Sequence, residues 1–174
     1  MPIIACVVVA GKGDFCRIEN VPDISDVRTM IKILEFLGAK VEKPEAGVIV
    51  VDSRNITPVT IPDEMTRKLR ASYYLLGALL SNFGKACVAL PGGCYFGVRP
   101  IDQHIKGFEA LGATVNCNDQ GVSCYTESPL VGASIYMDVA SVGATANIMI
   151  AAATAKGKTV IDNAAREPHI VDLA

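Results

Sequence analysis

The sequence of 174 residues has little net charge, few histidines and no long apolar run, and each shortage excludes a class of protein. The 16 basic and 18 acidic residues leave a net charge of −2, and neither sign forms a long block. We therefore expect no nucleic acid and no anionic lipid as a partner. The apolar run 2-PIIACVVVA-10 is far shorter than the roughly 20 residues that span a bilayer, and no basic leader precedes it. It predicts a buried element, with no membrane segment and no secretion signal.

Cysteine occurs at positions 6, 16, 87, 94, 117 and 124, but never in a C-x-x-C pair. Only two histidines could complete a soft ligand set, and the repeated seven-residue cysteine spacing is not a zinc pattern. We therefore expect no metal site, and thiols that stay reduced as they do in the cytosol.

The hydrophobic content of 51% with 20% charged residues is typical of a globular chain with a substantial core, which at this length is usually one domain. Within it, 31-IKILEFLGAKVEKPEAGVIV-50 and 105-IKGFEALGATVNCNDQGVSC-124 share the pattern I-K-x-x-E-x-L-G-A-x-V at an offset of 74. Such self-similarity indicates that the same structural unit occurs twice.

Each copy predicts an amphipathic helix, a stop and a strand. Apolar residues recur at every third position, which is the spacing of one helix face. Gly38 and Gly112 are predicted to end the helices, and Val41 and Val115 to open the next strands. The apolar positions are Ile31, Leu34 and Leu37 in the first copy and Ile105, Phe108 and Leu111 in the second.

After each copy, at residues 66–82 and 141–156, the sequence predicts a helix that is apolar around most of its circumference and is therefore buried. A G-K turn and a short strand open each unit, which gives units at 12–84, 85–157 and a partial one at 158–174. Quasi-symmetric units close a core only together, so we expect self-association or a partner chain to cover the 141–156 region. The alternative is a self-sufficient domain of two repeats and a fraction.

Four motifs, in this order, carry a resemblance to a known family: 69-LRAS-72, 90-LPGGCYFGVRPIDQHIKGFEALGA-113, 141-SVGAT-145 and 163-NAAREPHIVD-172. They resemble the UDP-N-acetylglucosamine 1-carboxyvinyltransferases, the enolpyruvyl transferases of peptidoglycan synthesis. The resemblance implies an α/β fold, an inside-out α/β barrel of repeated βαβαββ units with a truncated third repeat. Residues 1–174 would then form a single enolpyruvyl transferase-like domain. It also implies phosphoenolpyruvate and UDP-N-acetylglucosamine as substrates, no cofactor and a cytoplasmic location.

The resemblance assigns a catalytic role to Cys94. The alternative for a cysteine on a glycine-rich loop is a side chain that acts only as a small hydrophobe, but the matching family cysteine protonates the methylene carbon of phosphoenolpyruvate. Arg99 would favour the Cys94 thiolate and could bind carboxylate or phosphate oxygens through its planar fork. Gly92 and Gly93 would permit the backbone conformations that such a loop needs.

The remaining site residues bind the sugar nucleotide, according to the resemblance. Arg70 matches an arginine that binds it, with a helix-end salt bridge as the alternative. His104 matches a histidine near the uridine, although it could equally cap the following helix. The segment around the uridine comprises Arg99, Pro100, Ile101, Asp102 and Gln103.

Ser141, Val142 and Gly143 match a segment at the diphosphate. They open a predicted helix, whose N-terminus is a natural anion seat. The family often has a lysine two positions before this serine, where Val139 stands here.

The family motif G-A-K-N and a second domain would lie outside this sequence, so the resemblance predicts an inactive isolated chain. Two alternatives remain open at this point. One is a fragment resembling the shikimate-pathway enolpyruvyl transferase, which the P-G-G-C and S-V-G-A-T segments disfavour. The other is a non-catalytic module that binds nucleotide sugars.

Overall fold

A computed structural model of the chain describes residues 2–10, 15–66, 69–89, 101–118 and 121–174. The described residues form both helices and short strands, which confirms the predicted α/β class. The elements are α1 (Pro2–Ala10), β1 (Phe15–Ile18), α2 (Ser25–Phe36), β2 (Lys40–Glu42), β3 (Ile49–Asp52), α3 (Asp63–Thr66), a 3-10 helix (Arg70–Tyr73), α4 (Tyr74–Phe83), β4 (Lys85–Val88), α5 (Asp102–Ala110), β5 (Thr114–Asn118), β6 (Gly121–Tyr125), β7 (Ser134–Tyr136), α6 (Val142–Ala152), β8 (Val160–Asp162) and α7 (Pro168–Leu173).

Two three-stranded sheets have the same topology. Strands β1, β3 and β2 form one antiparallel sheet in that order, and β4, β6 and β5 form the other. Each unit also pairs in parallel with the next one along the chain. A single bridge joins Ile61 to Val88, and β7 pairs with β8 in the same way. The repeat read from the sequence is therefore a structural repeat as well.

Gly38 and Gly112 end the outer helices as predicted. Their φ angles of 106° and 95° lie in the left-handed region that glycine adopts without steric cost. In the first unit the amide of Ala39 then donates to the carbonyl of Leu34 at 2.9 Å, and the equivalent bond in the second unit is 3.0 Å long. This reversal directs the chain from each helix into the next strand.

The core is built from α1, α4 and α6, which contact one another. Their inward residues, among them Val8, Leu79 and Ile148, have no exposed surface. The outer strands β1 and β2 turn alternate residues to solvent. This arrangement confirms that the small-residue helices lie inside and the sheets outside, and it shows that 2-PIIACVVVA-10 is a buried helix.

The single helix predicted over 66–82 is wrong in its first part. The chain instead forms α3, then an extended residue at Leu69, then the 3-10 helix and α4. Leu69 has a φ of −140° and a ψ of 104°, and its side chain is buried. Packing that side chain into the core requires the extended backbone and overrides the helical pattern.

The helix predicted over 141–156 ends earlier, at Ala152. The reason is that Lys156 is used for strand-like pairing: its amide donates to the carbonyl of Leu130, and its carbonyl accepts from the amide of Gly132, both at 2.8 Å. Most of α6 is already buried within the chain, so the apolar surface expected to be open at 141–156 is absent from the described residues.

Candidate functional site

The site begins at the first turn of α6, where a serine caps the helix. Ser141 has an extended backbone, and its Oγ accepts from the amide of Ala144 at 3.3 Å. The first amides of a helix have no acceptor within the helix. Those of Val142 and Gly143 therefore remain available to an oxygen ligand at the positive end of the helix dipole.

The start of α5 supplies the second part. Ile101 precedes the helix, and Asp102 lies exposed in its first turn, where a carboxylate is favourable to the helix dipole. Gln103 is buried, and its side-chain amide is hydrogen-bonded within the chain. Its Nε2 donates to Asp102 Oδ2 and Asp138 Oδ2, both at 3.1 Å, and its Oε1 accepts from the amide of Asp138 at 2.9 Å.

Gln103 thus fixes the start of α5 to the loop that precedes α6. Lys106 adds an ion pair with Asp138 at 2.7 Å, and the Lys106 ammonium together with the Gln103 amide lowers the pKa of the Asp138 carboxyl. The side chain of Gln103 therefore has a positioning role in the structure. The resemblance also implies that Gln103 contacts the uridine. This contact remains a prediction, and the backbone of Gln103 would have to make it.

His104 belongs to α5, and its side chain lies against α6 and the 3-10 helix. Its ring centroid is 6.0 Å from that of Tyr73, with the planes tilted by 45°. On the other side, a Cβ built on Gly143 would lie 3.6 Å from His104 Nε2. Burial lowers the pKa of His104 to about 4, although nearby Asp102 acts in the opposite direction, so the ring is neutral at pH 7.

Sequence reasoning missed Asn147, which joins these segments. This residue is fully buried in α6, and its side-chain amide contacts His104 and the backbone on both sides of the junction between the 3-10 helix and α4. A polar residue in the middle of the apolar run 146-ANIMIAAA-153 is the signal that could have found it, because buried amides need partners.

Of the other predicted site residues, the structure describes only the backbone of Arg70. Arg70 begins the 3-10 helix whose last residue, Tyr73, contacts His104, so its backbone belongs to the same cluster. Cys94, Arg99 and Pro100 lie outside the described residues. The structure thus brings together the segments of Arg70, His104 and Ser141–Gly143, while the role of Cys94 remains a prediction.

A shallow apolar crevice lies against His104, with Tyr73, Ile101 and Phe108 in its wall, and it encloses essentially no cavity volume. The described residues alone therefore do not enclose a nucleotide sugar. Among the same residues, no group of three or more His, Cys, Asp or Glu side chains could hold a metal ion. Nor does any described helix combine the length and apolar character needed to cross a membrane.

The whole chain, residues 1–174, matches the family model of EPSP synthase (3-phosphoshikimate 1-carboxyvinyltransferase). It is 51% identical to a UDP-N-acetylglucosamine 1-carboxyvinyltransferase of Clostridium botulinum, over 99% of this chain and 41% of the relative. It is 57% identical to a second such protein, UDP-N-acetylglucosamine 1-carboxyvinyltransferase 2 of Listeria monocytogenes, over 90% of this chain and 37% of the relative. The chain therefore spans about two fifths of the length of these relatives.

Solved structures agree on the fold. The enolpyruvyl transferase NikO from Streptomyces tendae superimposes with a TM-score of 0.79 at 22% identity, covering 99% of this chain and 40% of NikO. An EPSP synthase from Acinetobacter baumannii gives a TM-score of 0.70 at 14% identity, covering 97% of this chain and 40% of that protein. With a family model that matches every residue and relatives of more than 50% identity, the chain belongs to the EPSP synthase family of carboxyvinyltransferases.

Proposed function

We propose that this chain is the part of a UDP-N-acetylglucosamine 1-carboxyvinyltransferase that binds the sugar nucleotide and carries the catalytic cysteine. The complete protein would transfer the enolpyruvyl group of phosphoenolpyruvate to the 3-hydroxyl of UDP-N-acetylglucosamine, in the cytoplasm, for peptidoglycan synthesis and thus for cell shape and division. The names of the relatives at 51–57% identity support this substrate pair.

The observation that carries the proposal is the cluster at the start of α6. The amides of Val142 and Gly143 have no acceptor within the helix, and the neutral ring of His104 lies beside Gly143. Amides at a helix N-terminus bind phosphate oxygens without needing a lysine. This matters here because Val139 stands where the family often has that lysine. The diphosphate of the sugar nucleotide is the ligand that fits such a seat.

In the proposed reaction, Cys94 gives a proton to the methylene carbon of phosphoenolpyruvate and leaves a cationic centre on the neighbouring carbon. The sugar 3-hydroxyl attacks that centre and gives its proton to a carboxylate that the resemblance assigns to the second domain, which forms a tetrahedral intermediate. The Cys94 thiolate then takes a proton from the new methyl group as the carbon–oxygen bond to phosphate breaks, which restores the vinyl ether and the thiol. Arg99 would stabilise the anionic groups, and Arg70 with residues 101–104 would hold the nucleotide.

Titration of the 174-residue chain by calorimetry tests the proposal. We expect UDP-N-acetylglucosamine to bind and shikimate 3-phosphate not to bind. Turnover should be absent, because the remaining three fifths of the relatives' length supply groups that the reaction needs. We also expect the epoxide fosfomycin to alkylate Cys94 poorly in the isolated chain, for the same reason.

The outcomes separate the alternatives. Binding of shikimate 3-phosphate in place of the sugar nucleotide would assign the chain to the shikimate-type branch of the family. Binding of UDP-N-acetylglucosamine by a full-length protein that does not consume phosphoenolpyruvate would identify a nucleotide-sugar binding module. Binding of neither ligand, by a chain shown to be folded, would contradict the proposal.

A further inference from the structure

The side-chain amide of Asn147 makes three contacts at the centre of the candidate site. Its Oδ1 accepts from the amide of Gly77 at 2.9 Å. Its Nδ2 donates to the carbonyl of Tyr73 at 2.8 Å and lies 3.0 Å from His104 Nδ1. Because Asn147 is fully buried, these contacts account for both hydrogens of the NH₂ group and one lone pair of the oxygen.

The backbone partners fix which way this amide faces. The amide of Gly77 can only donate, and the carbonyl of Tyr73 can only accept. A flipped Asn147 would place its NH₂ group against an N–H and its oxygen against a carbonyl, so donor would face donor and acceptor would face acceptor. The second hydrogen of Nδ2 must therefore be directed at His104.

The tautomer of His104 follows from this orientation. A nitrogen that faces an N–H donor at 3.0 Å must act as the acceptor, so Nδ1 carries no proton. The neutral ring then holds its single proton on Nε2. Adding a proton to Nδ1 would bring two donors together, which opposes the charged form in addition to the effect of burial.

The protonated nitrogen lies beside the first turn of α6. Nε2 and Cε1 would be 3.6 and 3.7 Å from a Cβ built on Gly143, so this edge of the ring lies beside Gly143 in the first turn of α6. The titratable described groups that face the ring are Asp102 on α5 and Tyr73 on the 3-10 helix. The helix α6 contributes none.

We propose that Asn147 is a positioning residue that holds His104 as a neutral Nε2–H donor, directed at a phosphate oxygen of a nucleoside diphosphate bound at the start of α6. The inference rests on the proposed function for the identity of the ligand. The state of the ring, however, is a property of the ligand-free chain. The site would then recognise its anion through N–H dipoles from Val142, Gly143 and His104, with no positive charge on the ring.

Nitrogen-15 NMR of the ligand-free chain tests the tautomer directly, because the sequence has only two histidines. We expect the signals that disappear in His104→Gln to show a neutral Nε2–H ring from pH 8 down to pH 5. A charged ring at pH 6, or a neutral ring protonated at Nδ1, would overturn the proposal.

Asn147→Asp tests the cause. A carboxylate facing Nδ1 requires a proton there, so the pKa of His104 should rise, and above that pKa the neutral ring should carry its proton on Nδ1. The bare Nε2 would then face the phosphate oxygen. Affinity for UDP-N-acetylglucosamine should therefore fall about ten- to a hundred-fold as the pH rises through the new pKa, whereas that of the unsubstituted chain stays flat.

Asn82→Asp is the matched control. Asn82 lies on α4, and its Nδ2 donates to the carbonyl of Val8 at 2.8 Å, as that of Asn147 does to Tyr73. It should lose stability without changing the tautomer of His104 or the pH dependence of binding. The same pH dependence in both variants would overturn the proposal.

His104→Phe and His104→Gln keep the proposal testable if Asn147→Asp does not fold. The phenyl ring removes the donor, whereas the glutamine amide retains a neutral one, so Phe should weaken binding about ten-fold or more relative to Gln. Equal affinity of the two variants would overturn the inference and leave the proposed function standing. If the unsubstituted chain binds no sugar nucleotide, the proposed function fails, and the NMR of the ligand-free chain still decides what Asn147 does.

Discussion

Thr145 and Ser72 are both buried hydroxyl residues near the starts of the inner helices α6 and α4, in 142-VGAT-145 and 69-LRAS-72, but they differ in their partners. Thr145 Oγ1 accepts from the buried amide of Ala165 at 3.1 Å. The equally buried Ser72 Oγ has no hydrogen-bond partner among the described residues. The same type of side chain therefore has different consequences in the two units.

We expect Thr145→Val to lower the free energy of unfolding by about 1–3 kcal/mol, because it leaves the Ala165 amide buried and unpaired. Ser72→Ala removes only a hydroxyl that has no such partner, and should change stability by less than about 1 kcal/mol. Urea denaturation of the two variants measures the difference. An equally large loss for Ser72→Ala would mean that Ser72 has a partner beyond the described residues.

Cysteine reactivity is a second property at this scale. Burial raises the pKa of Cys124 to about 12 and also raises that of Cys6, so both thiols should react slowly at pH 8. Cys117 is exposed and gives a reference rate. We expect Cys94 to be alkylated faster than Cys6 or Cys87 in peptide maps after limited iodoacetamide treatment, because the resemblance implies that Arg99 would favour its thiolate. Arg99→Ala should slow Cys94 and leave Cys117 unchanged, and equal labelling of all six thiols would contradict the prediction.

At the scale of elements, the crossing of α4 and α6 depends on one glycine. A Cβ built on Gly77 would lie 2.5 Å from the carbonyl oxygen of Asn147 and would also collide with its side-chain oxygen. Gly143, at the other end of the same region, has room for a Cβ at ordinary contact distance. Close packing therefore requires a glycine at position 77, whereas position 143 has space for a larger residue.

Gly77→Ala should therefore cost about 1–3 kcal/mol of stability, because the two helices must move apart. Gly143→Ala should raise stability by up to about 1 kcal/mol through its helix preference, yet weaken the binding of UDP-N-acetylglucosamine by filling space beside His104. Thermal denaturation and calorimetry distinguish the two effects. Unchanged stability of Gly77→Ala would show that the crossing is looser than its geometry indicates.

The elements that could be predicted from the sequence are those with a local pattern. Periodicity was sufficient for α2 and α5, and Gly38 and Gly112 marked their ends because a left-handed turn strongly favours glycine. The break at Leu69 and the partners of Asn147 could not be predicted. Both depend on residues from other units of the fold, and no local pattern encodes such a distance.

For the whole molecule, His104 links acidity to stability. The folded chain keeps this ring neutral down to its pKa of about 4, whereas the unfolded chain binds a proton near the ordinary value of 6.5. Between these values the unfolded state binds more protons, so the contribution of His104 is present above about pH 6.5 and is lost as the pH falls toward 4.

We expect the free energy of unfolding to fall by about 1–3 kcal/mol more in the unsubstituted chain than in His104→Gln between pH 7 and pH 4. The difference between the two removes the effect of the carboxyl groups, which both chains share. Denaturation curves across this range measure it. Parallel losses in the two proteins would contradict a depressed pKa for His104.

Self-association remains a prediction at this scale, but α6 no longer motivates it, because the chain itself buries that helix. One group of exposed apolar side chains lies on and near β7 and β8, with Tyr136 61% and Val139 66% exposed, and others, such as Phe15 and Val171, lie elsewhere on the described surface. We expect the sedimentation coefficient to rise with concentration. A stable monomer at high concentration would count against the prediction.

The three inner helices have a consequence for how the chain folds. Their mutual contacts join residues about one unit apart, such as Asn82 with Val8 and Asn147 with Tyr73, each pair separated by 74 residues. Loops of that length must close before any inner helix is buried, so burial of the core stabilises the chain only late in folding. Each outer sheet, in contrast, forms with its helix from residues that are close in the sequence. Folding should therefore be slow for a chain of this size, with the outer units forming first and the inner helices docking together in the final, cooperative step.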